Sequence, residues 1–321
     1  MATLILPKIL KGAEVGSFVE QMWAAKDEKE VIFDFSNVLY AHPFAALLLA
    51  AEIKTFKEKA SVGCRYSGTE APNAGLSYMA HIGFFKFIGI PIGNQPGEAK
   101  GTSYIPITRA TRESLLASGH TIIGASIQEQ ANRLAFLLSG RDDLTINRPI
   151  SYCFREVIRN VFEHSGADEC LWCAQAYYKG EVELAIIDRG RGIKESLAER
   201  YTIADDVEAL RLAIRPGVSR VAHSNESDEW ANSGFGLYVL SELGRRTGAF
   251  RIASGKATLD VSQTGDSVRS VTFGGTAVGL RIQKPKGENL SDIIHQIIAE
   301  GECLTEKQGA PKRASRKSKD V

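Results

Sequence analysis

The chain has 321 residues, enough for two domains of ordinary size that each bury a core of their own. Lys and Arg number 39 against 38 Asp and Glu, so the net charge of +1 sets up no global field toward nucleic acid or an acidic membrane. The longest apolar run, Pro43 to Ala51, stops at Glu52 and is too short for a bilayer, and the N-terminus lacks the basic and hydrophobic parts of a signal peptide; a cytoplasmic protein is expected.

Residues 3 to 7 read as a short strand, and Glu14 to Ala25 as a helix with Val15, Phe18, Val19 and Met22 on one side. Val31 to Phe35 is a compact buried strand, after which a turn feeds an apolar helix reaching about Lys57. Val62 to Tyr66 is the next strand, and Ala74 to Phe87 another helix ending in Gly89. Strand and helix alternate as in an α/β layer. Within about residues 1 to 90, the stretch Val31-Ile-Phe-Asp-Phe-Ser-Asn-Val-Leu-Tyr40 resembles the strand and following loop of STAS-type domains, the fold of anti-sigma factor antagonists. Those antagonists place a phosphorylatable Ser or Thr before a Gly at the helix start. Here the residues are Ala41-His42-Pro43-Phe44-Ala45, so the resemblance brings no regulatory phosphorylation to this site. His42, beside a helix-starting Pro, reads as a local cap rather than a phosphoacceptor.

Pro91 to Gly101 carries two prolines and three glycines with little apolar content, which marks residues 91 to 120 as a linker, with Ser103 to Thr108 a strand that begins or bridges to a second domain. Ala125 to Ser139 is an amphipathic helix with no His. The next helix, Ser151 to Gly166, turns Phe154, Val157, Ile158 and Val161 to a core, with Ser151 as N-cap and Gly166 closing its end. On its other face Glu156, Asn160 and Glu163 fall in one line, and a carboxylate and an amide oxygen one turn apart suit magnesium. By itself such a stripe is usually just the wet side of an amphipathic helix. The five cysteines are scattered and fit reduced thiols. Cys170 and Cys173 lie in an alternating run where residues three apart point to opposite faces, so they read as strand cysteines rather than a ligand pair.

Glu181 to Gly192 is an apolar strand running out at Asp188-Arg-Gly190-Arg-Gly192, which alone would be a plain turn. From 193 to 232 the chain holds one helical stretch, Ala204 to Ile214, and a polar segment, His223 to Glu229; this is either a mobile cover or an ordinary surface loop. Asn232 to Leu243 opens a helix with Gly234 and Gly236, and Gly274 to Ile282 is a glycine turn and Thr276 entering a last strand. Leu290 to Ala299 forms one more amphipathic helix, and residues 306 to 321 lack core-forming side chains. The basic run in that tail is a solvated end or, alternatively, a nucleic-acid contact.

In this order, the four stretches around Glu156, Asp188, Gly236 and Thr276 resemble the ATP-binding domain of the GHKL superfamily (gyrase, heat-shock chaperones, histidine kinases, MutL). The resemblance covers residues 121 to 284, and 285 to 321 would be a C-terminal helix and tail. Glu156 and Asn160 match the N-box, Asp188-x-Gly190-x-Gly192 the first glycine box, Gly234-x-Gly236-Leu237 the second, and Thr276 the last-strand Thr. The absence of a His in the preceding helix makes the layout closest to the anti-sigma factor serine kinases. The fold implied is an N-terminal STAS-like α/β domain followed by a two-layer α/β sandwich of the Bergerat type. The cofactors implied are ATP and Mg2+.

In such a site Asp188 accepts from the adenine amine, Gly190 and Gly192 let the backbone approach the base, and Thr276 joins through its hydroxyl, directly or through water. Ser233, Gly234, Gly236 and Leu237 wrap the phosphates at a helix N-terminus. Asn160 holds the metal with Glu156 beside it, and Glu156 orients or deprotonates the attacking water or a protein hydroxyl. His164 takes a secondary place at the helix end. Two functions stay open: Mg-dependent ATP hydrolysis or phosphoryl transfer to Ser or Thr of a partner protein, in regulation by partner switching, and a non-hydrolysing ATP-gated interaction module. A protein partner is implied and a homodimer is compatible; neither membrane nor nucleic acid is.

Overall fold

The computed structural model describes residues 1–70, 73–98, 103–117, 123–140, 144–219, 234–283 and 290–308. The chain is mixed α/β with several sheets: a parallel three-stranded one, a short two-stranded one and a five-stranded one. Two compact units are present, one of residues 1–109 with 171–175, the other of 110–170 with 176–321. Among the described residues no helix is long and apolar enough to cross a membrane.

The first unit is built on β1 (Ala2–Ile5), β3 (Glu30–Asp34) and β5 (Gly63–Ser67), with β3 in the middle. The short strands β2 (Ile9–Leu10) and β4 (Tyr40–Ala41) pair beside them. Helix α1 (Gly12–Ala24) and helix α2 (Pro43–Lys59) pack on each other; Pro43 opens α2 because its missing N–H would have no partner in a first turn. Phe33, Phe35 and Phe56 are fully buried; Phe33 meets Phe56 edge-on and stacks on Tyr66, and Phe35 meets Tyr66 tilted and Phe84 and Phe85 edge-on, which makes an aromatic core. His42 does occupy the cap position of α2, but its side chain makes no capping hydrogen bond.

Two expectations change here. The helix read over Ala74 to Phe87 is two, α3 (Ala74–His81) and α4 (Phe84–Phe87), because Gly83 turns left-handed at φ 80° between them. The stretch read as a linker is tied into the first unit: the Asn94 N–H donates to Ala80 C=O at 2.9 Å, Gly97 N–H to Ile107 C=O at 2.9 Å, and Ile107 N–H to Ile82 C=O at 2.8 Å. Strand β6 (Tyr104–Thr111) and helix α5 (Arg112–Ala117) then occupy the rest of its described residues.

The second unit places helices α6 (Ile123–Ser139) and α7 (Leu144–Asn160) side by side. Ser151 is not an N-cap, because α7 begins seven residues earlier. The buried Ser151 hydroxyl instead accepts from Gln128 Nε2 at 2.7 Å and donates to Asn132 Oδ1 at 2.6 Å, both on α6. Beyond Asn160 the helix loosens into a π-turn, Val161–Ser165, and Gly166 closes it at φ 69°. Strand β7 (Glu169–Ala176), whose residues 171–175 belong to the first unit, and strand β8 (Glu181–Asp188) follow, and all five cysteines are free thiols. Helices α8 (Gly192–Ala198) and α9 (Asp206–Ala213) come next, then α10 (Gly236–Thr247), which packs on β9 (Gly248–Ser262) and β10 (Gly265–Gln283). Helix α11 (Leu290–Lys307) packs on α7 and α10.

The glycine turn expected at Gly274 is overturned. Strand β10 runs through it, and the irregularity is taken up by bulges between Ser270 and Phe273 and between Phe273 and Thr276. The tail from residue 309 on and the polar segment His223 to Glu229 lie outside the described residues.

Candidate functional site

A cavity opens in the second unit, about 810 Å3 when the open solvent at its mouth is counted. Its walls are mainly apolar, with Val157, Val161, Ile186, Ile193, Leu237 and Val278 among them. The polar groups facing it are few: Asn160, Ser165, Asp188, Ser196, Ser219 and Thr276. An apolar hollow with a few convergent polar groups is the usual form of a small-molecule site.

Sheet register explains why Asp188 and Thr276 meet. Thr276 on β10 stands directly opposite Asp188, the last residue of β8, and cross-strand partners share a face. Asp188 is 5% exposed, and one carboxylate oxygen accepts from the Gly190 N–H at 2.8 Å. Burial pushes its pKa up to about 6, against hydrogen bonds from Gly190, Thr276 and Ser165 that favour the charged form. The result is an anionic acceptor at the rim of a nonpolar space, titrating near neutrality.

The glycines divide by role. Gly192, at φ 82°, lines the cavity. Gly190 does not: a Cβ there would lie 2.3 Å from the Ser165 carbonyl oxygen, so its bareness serves the packing of the turn on the π-turn. Gly234, at φ 71°, and Leu237 line the cavity where α10 starts. Gly236 instead sits on α7, where an added Cβ would come within 2.6 Å of Glu156 Cβ. The cap residue of α10, Phe235, makes no side-chain capping hydrogen bond, and the first N–H groups of the helix carry the positive end of its dipole. Ser233 lies outside the described residues, as does the side chain of His164.

The line Glu156, Asn160, Glu163 separates. Asn160 lines the cavity, whereas Glu163 is half-exposed and bridged to Arg159 at 2.7 and 2.8 Å. Glu156 is 1% exposed and absent from the cavity wall. Its Oε1 lies 3.4 Å from the Arg155 guanidinium and 3.7 Å from that of Arg159, and its Oε2 has no hydrogen-bond partner. Burial raises its pKa despite the two guanidiniums. A carboxylate held this way does not fit a metal ligand, which corrects that part of the expectation. Among the described residues no cluster of three or more His, Cys, Asp or Glu side chains gathers to hold a metal, so Asn160 remains the one expected ligand on the wall. Arg155 and Arg159, one residue before and three after Glu156, were the signal in the sequence that this carboxylate is paired. Ser165 carried no such signal, because only the π-turn brings it to the wall.

No protein-family model, no curated protein and no solved structure matches the chain.

Proposed function

We propose that the second unit is an ATP-binding module of the GHKL type, a two-layer α/β sandwich, and that the first is a STAS-like module for protein contacts, the pair acting in regulation by partner switching. The observation that carries this reading is the convergence of Asp188, Thr276 and Asn160 on one cavity that Gly234 and Leu237, at the start of α10, also line. Asp188 offers its carboxylate to the exocyclic amine of adenine, and the Thr276 hydroxyl adds a second contact. The apolar walls exclude water from the base. Asn160 supplies an amide oxygen for Mg2+, an ion that keeps several waters and commonly takes one or two protein ligands beside phosphate. When bound, that ion neutralises phosphate charge. Gly234 and Leu237 line the cavity, so the start of α10 and its N–H groups lie beside it.

Catalysis falls to Glu156, the carboxylate nearest to Asn160 along α7, with hydrolysis or transfer to a partner's Ser or Thr as the reaction. Titration with ATP and Mg2+ should show saturable binding by calorimetry, and Glu156→Ala should keep that affinity and lose phosphate release. Equal loss of both would remove the assignment of Glu156. A second reading has its own support: Glu156 is buried, paired with Arg155 and Arg159, and off the cavity wall. In that reading ATP is bound without turnover and closure alone alters partner binding. Tight ATP binding by the wild type with no phosphate released over hours would select it.

A further inference from the structure

Three polar side chains stand in one row across the sheet, since Asp188 pairs with Thr276 and Thr276 with Ser254 on β9. The first two line the cavity. Ser254 does not, and at 3% exposure it lies behind the wall. Its hydroxyl is nevertheless fully used. It accepts from the Ile193 N–H at 2.9 Å and donates to the Gly275 carbonyl at 2.7 Å.

One partner, Ile193, lines the cavity, and the other, Gly275, immediately precedes the wall residue Thr276. Ile193 is the second residue of α8, a helix whose cap residue Arg191 contributes no side-chain bond, so its first N–H groups need acceptors from elsewhere. Gly275 sits at φ 110° in the bulge immediately before Thr276, with its Cα packed so that a Cβ would lie 2.2 Å from the Asp188 carbonyl oxygen. A Cβ on Gly192 would lie 2.7 Å from the same Ser254 hydroxyl. One buried hydroxyl thus fixes the start of α8 and the bulge that aims Thr276.

We propose that Ser254 is a positioning residue for recognition of the base, holding Gly192, Ile193 and Thr276 at the spacing from Asp188 that an exocyclic amine requires; this rests on the ATP reading above. Without the hydroxyl, a buried N–H and a buried C=O lose their partner, and the bulge relaxes away from the row. The consequence is selective: an amine held by Asp188 and Thr276 suffers, whereas the phosphates at α10 do not.

The test measures Kd for Mg-ATP and for the Mg complex of purine riboside triphosphate, which lacks the amine, in the full chain. Ser254→Ala should weaken ATP about ten-fold and leave the analogue within about two-fold, and Ser254→Thr, which keeps the hydroxyl, should restore ATP. Hydrogen exchange of the nucleotide-free protein supplies a second readout, with the Ile193 amide exchanging faster in the Ala variant and not in the Thr variant. Equal weakening of both nucleotides, or unchanged exchange at Ile193, overturns the proposal while leaving the ATP site standing. Wild-type protein that binds neither nucleotide overturns both. Should the Ala variant fail to fold, Ser254→Cys, a poorer acceptor of similar size, is expected to move ATP and exchange in the same direction, and no change in it overturns the proposal.

Discussion

Asp188 is asked to stay charged in a place that resists charge. Its folded pKa of about 6 exceeds the ordinary aspartate value of 3.8, so the folded protein binds this proton more tightly than the unfolded chain. The contribution to stability is therefore complete below about pH 4 and is lost as pH rises through 6, amounting to about 3 kcal/mol at most. Glu156, whose pKa is also raised by burial, acts in the same direction. Asp188→Asn removes the first of these, so the difference in unfolding free energy between variant and wild type should change between pH 4 and 6 and be flat above 7. Denaturant titrations at those pH values check it, and parallel curves would mean that the carboxyl is not desolvated. The same variant should lose ATP affinity. In the wild type ATP affinity should fall as pH drops through about 6, because the amine needs the carboxylate. Stability and binding thus pull opposite ways at one residue, which is common where a site stores an unfavourable group.

At the level of elements, the bulge in β10 is where local geometry and site meet. Gly275 holds φ 110° and has the β8 backbone 2.2 Å from where a Cβ would stand. Gly275→Ala should cost about 2–4 kcal/mol through strain and overpacking together. Thermal melting reads this directly, and an unchanged Tm would show that the strand shifts freely. This bulge also marks the limit of what the sequence conveys. Strand β8 was legible to its ends, Glu181 and Asp188, because an uninterrupted apolar run stops at a charge and two glycines. Gly274-Gly275, however, signals a turn and a bulge identically, so the sequence alone hid the long hairpin of β9 and β10. Ser151 misled for a related reason. Its hydroxyl suits a helix cap, but it is spent on Gln128 and Asn132 of α6, partners that only packing supplies. The pairing of Glu156 with Arg155 and Arg159 was written in adjacent positions, yet its burial under Gly236 was not, since that depends on where α10 lands.

For the molecule as a whole, the distribution of charge around the cavity decides what binding must involve. Among the described residues that line it, none is Lys or Arg, and the one charged side chain is Asp188. A triphosphate brought to such a wall meets a like charge, and among the described residues the positive potential comes from helix starts such as that of α10, a contribution of about 0.3–2 kcal/mol for a helix end. On the ATP reading proposed above, a divalent cation held at Asn160 would offset the remaining phosphate charge. Ligand that binds only the folded state raises stability by mass action, by about 2.7 kcal/mol at one hundred times Kd. Saturating ATP with Mg2+ should accordingly raise Tm by several degrees. Chelation of the metal should remove most of that rise and bring ATP close to adenosine, whose own small stabilisation should not depend on the metal. Asn160→Ala should mimic chelation for ATP and leave adenosine unaffected. If ATP without metal stabilises the protein as strongly as with it, the phosphates are met by cations beyond the described wall, and the role given to Asn160 fails while that of Asp188 survives.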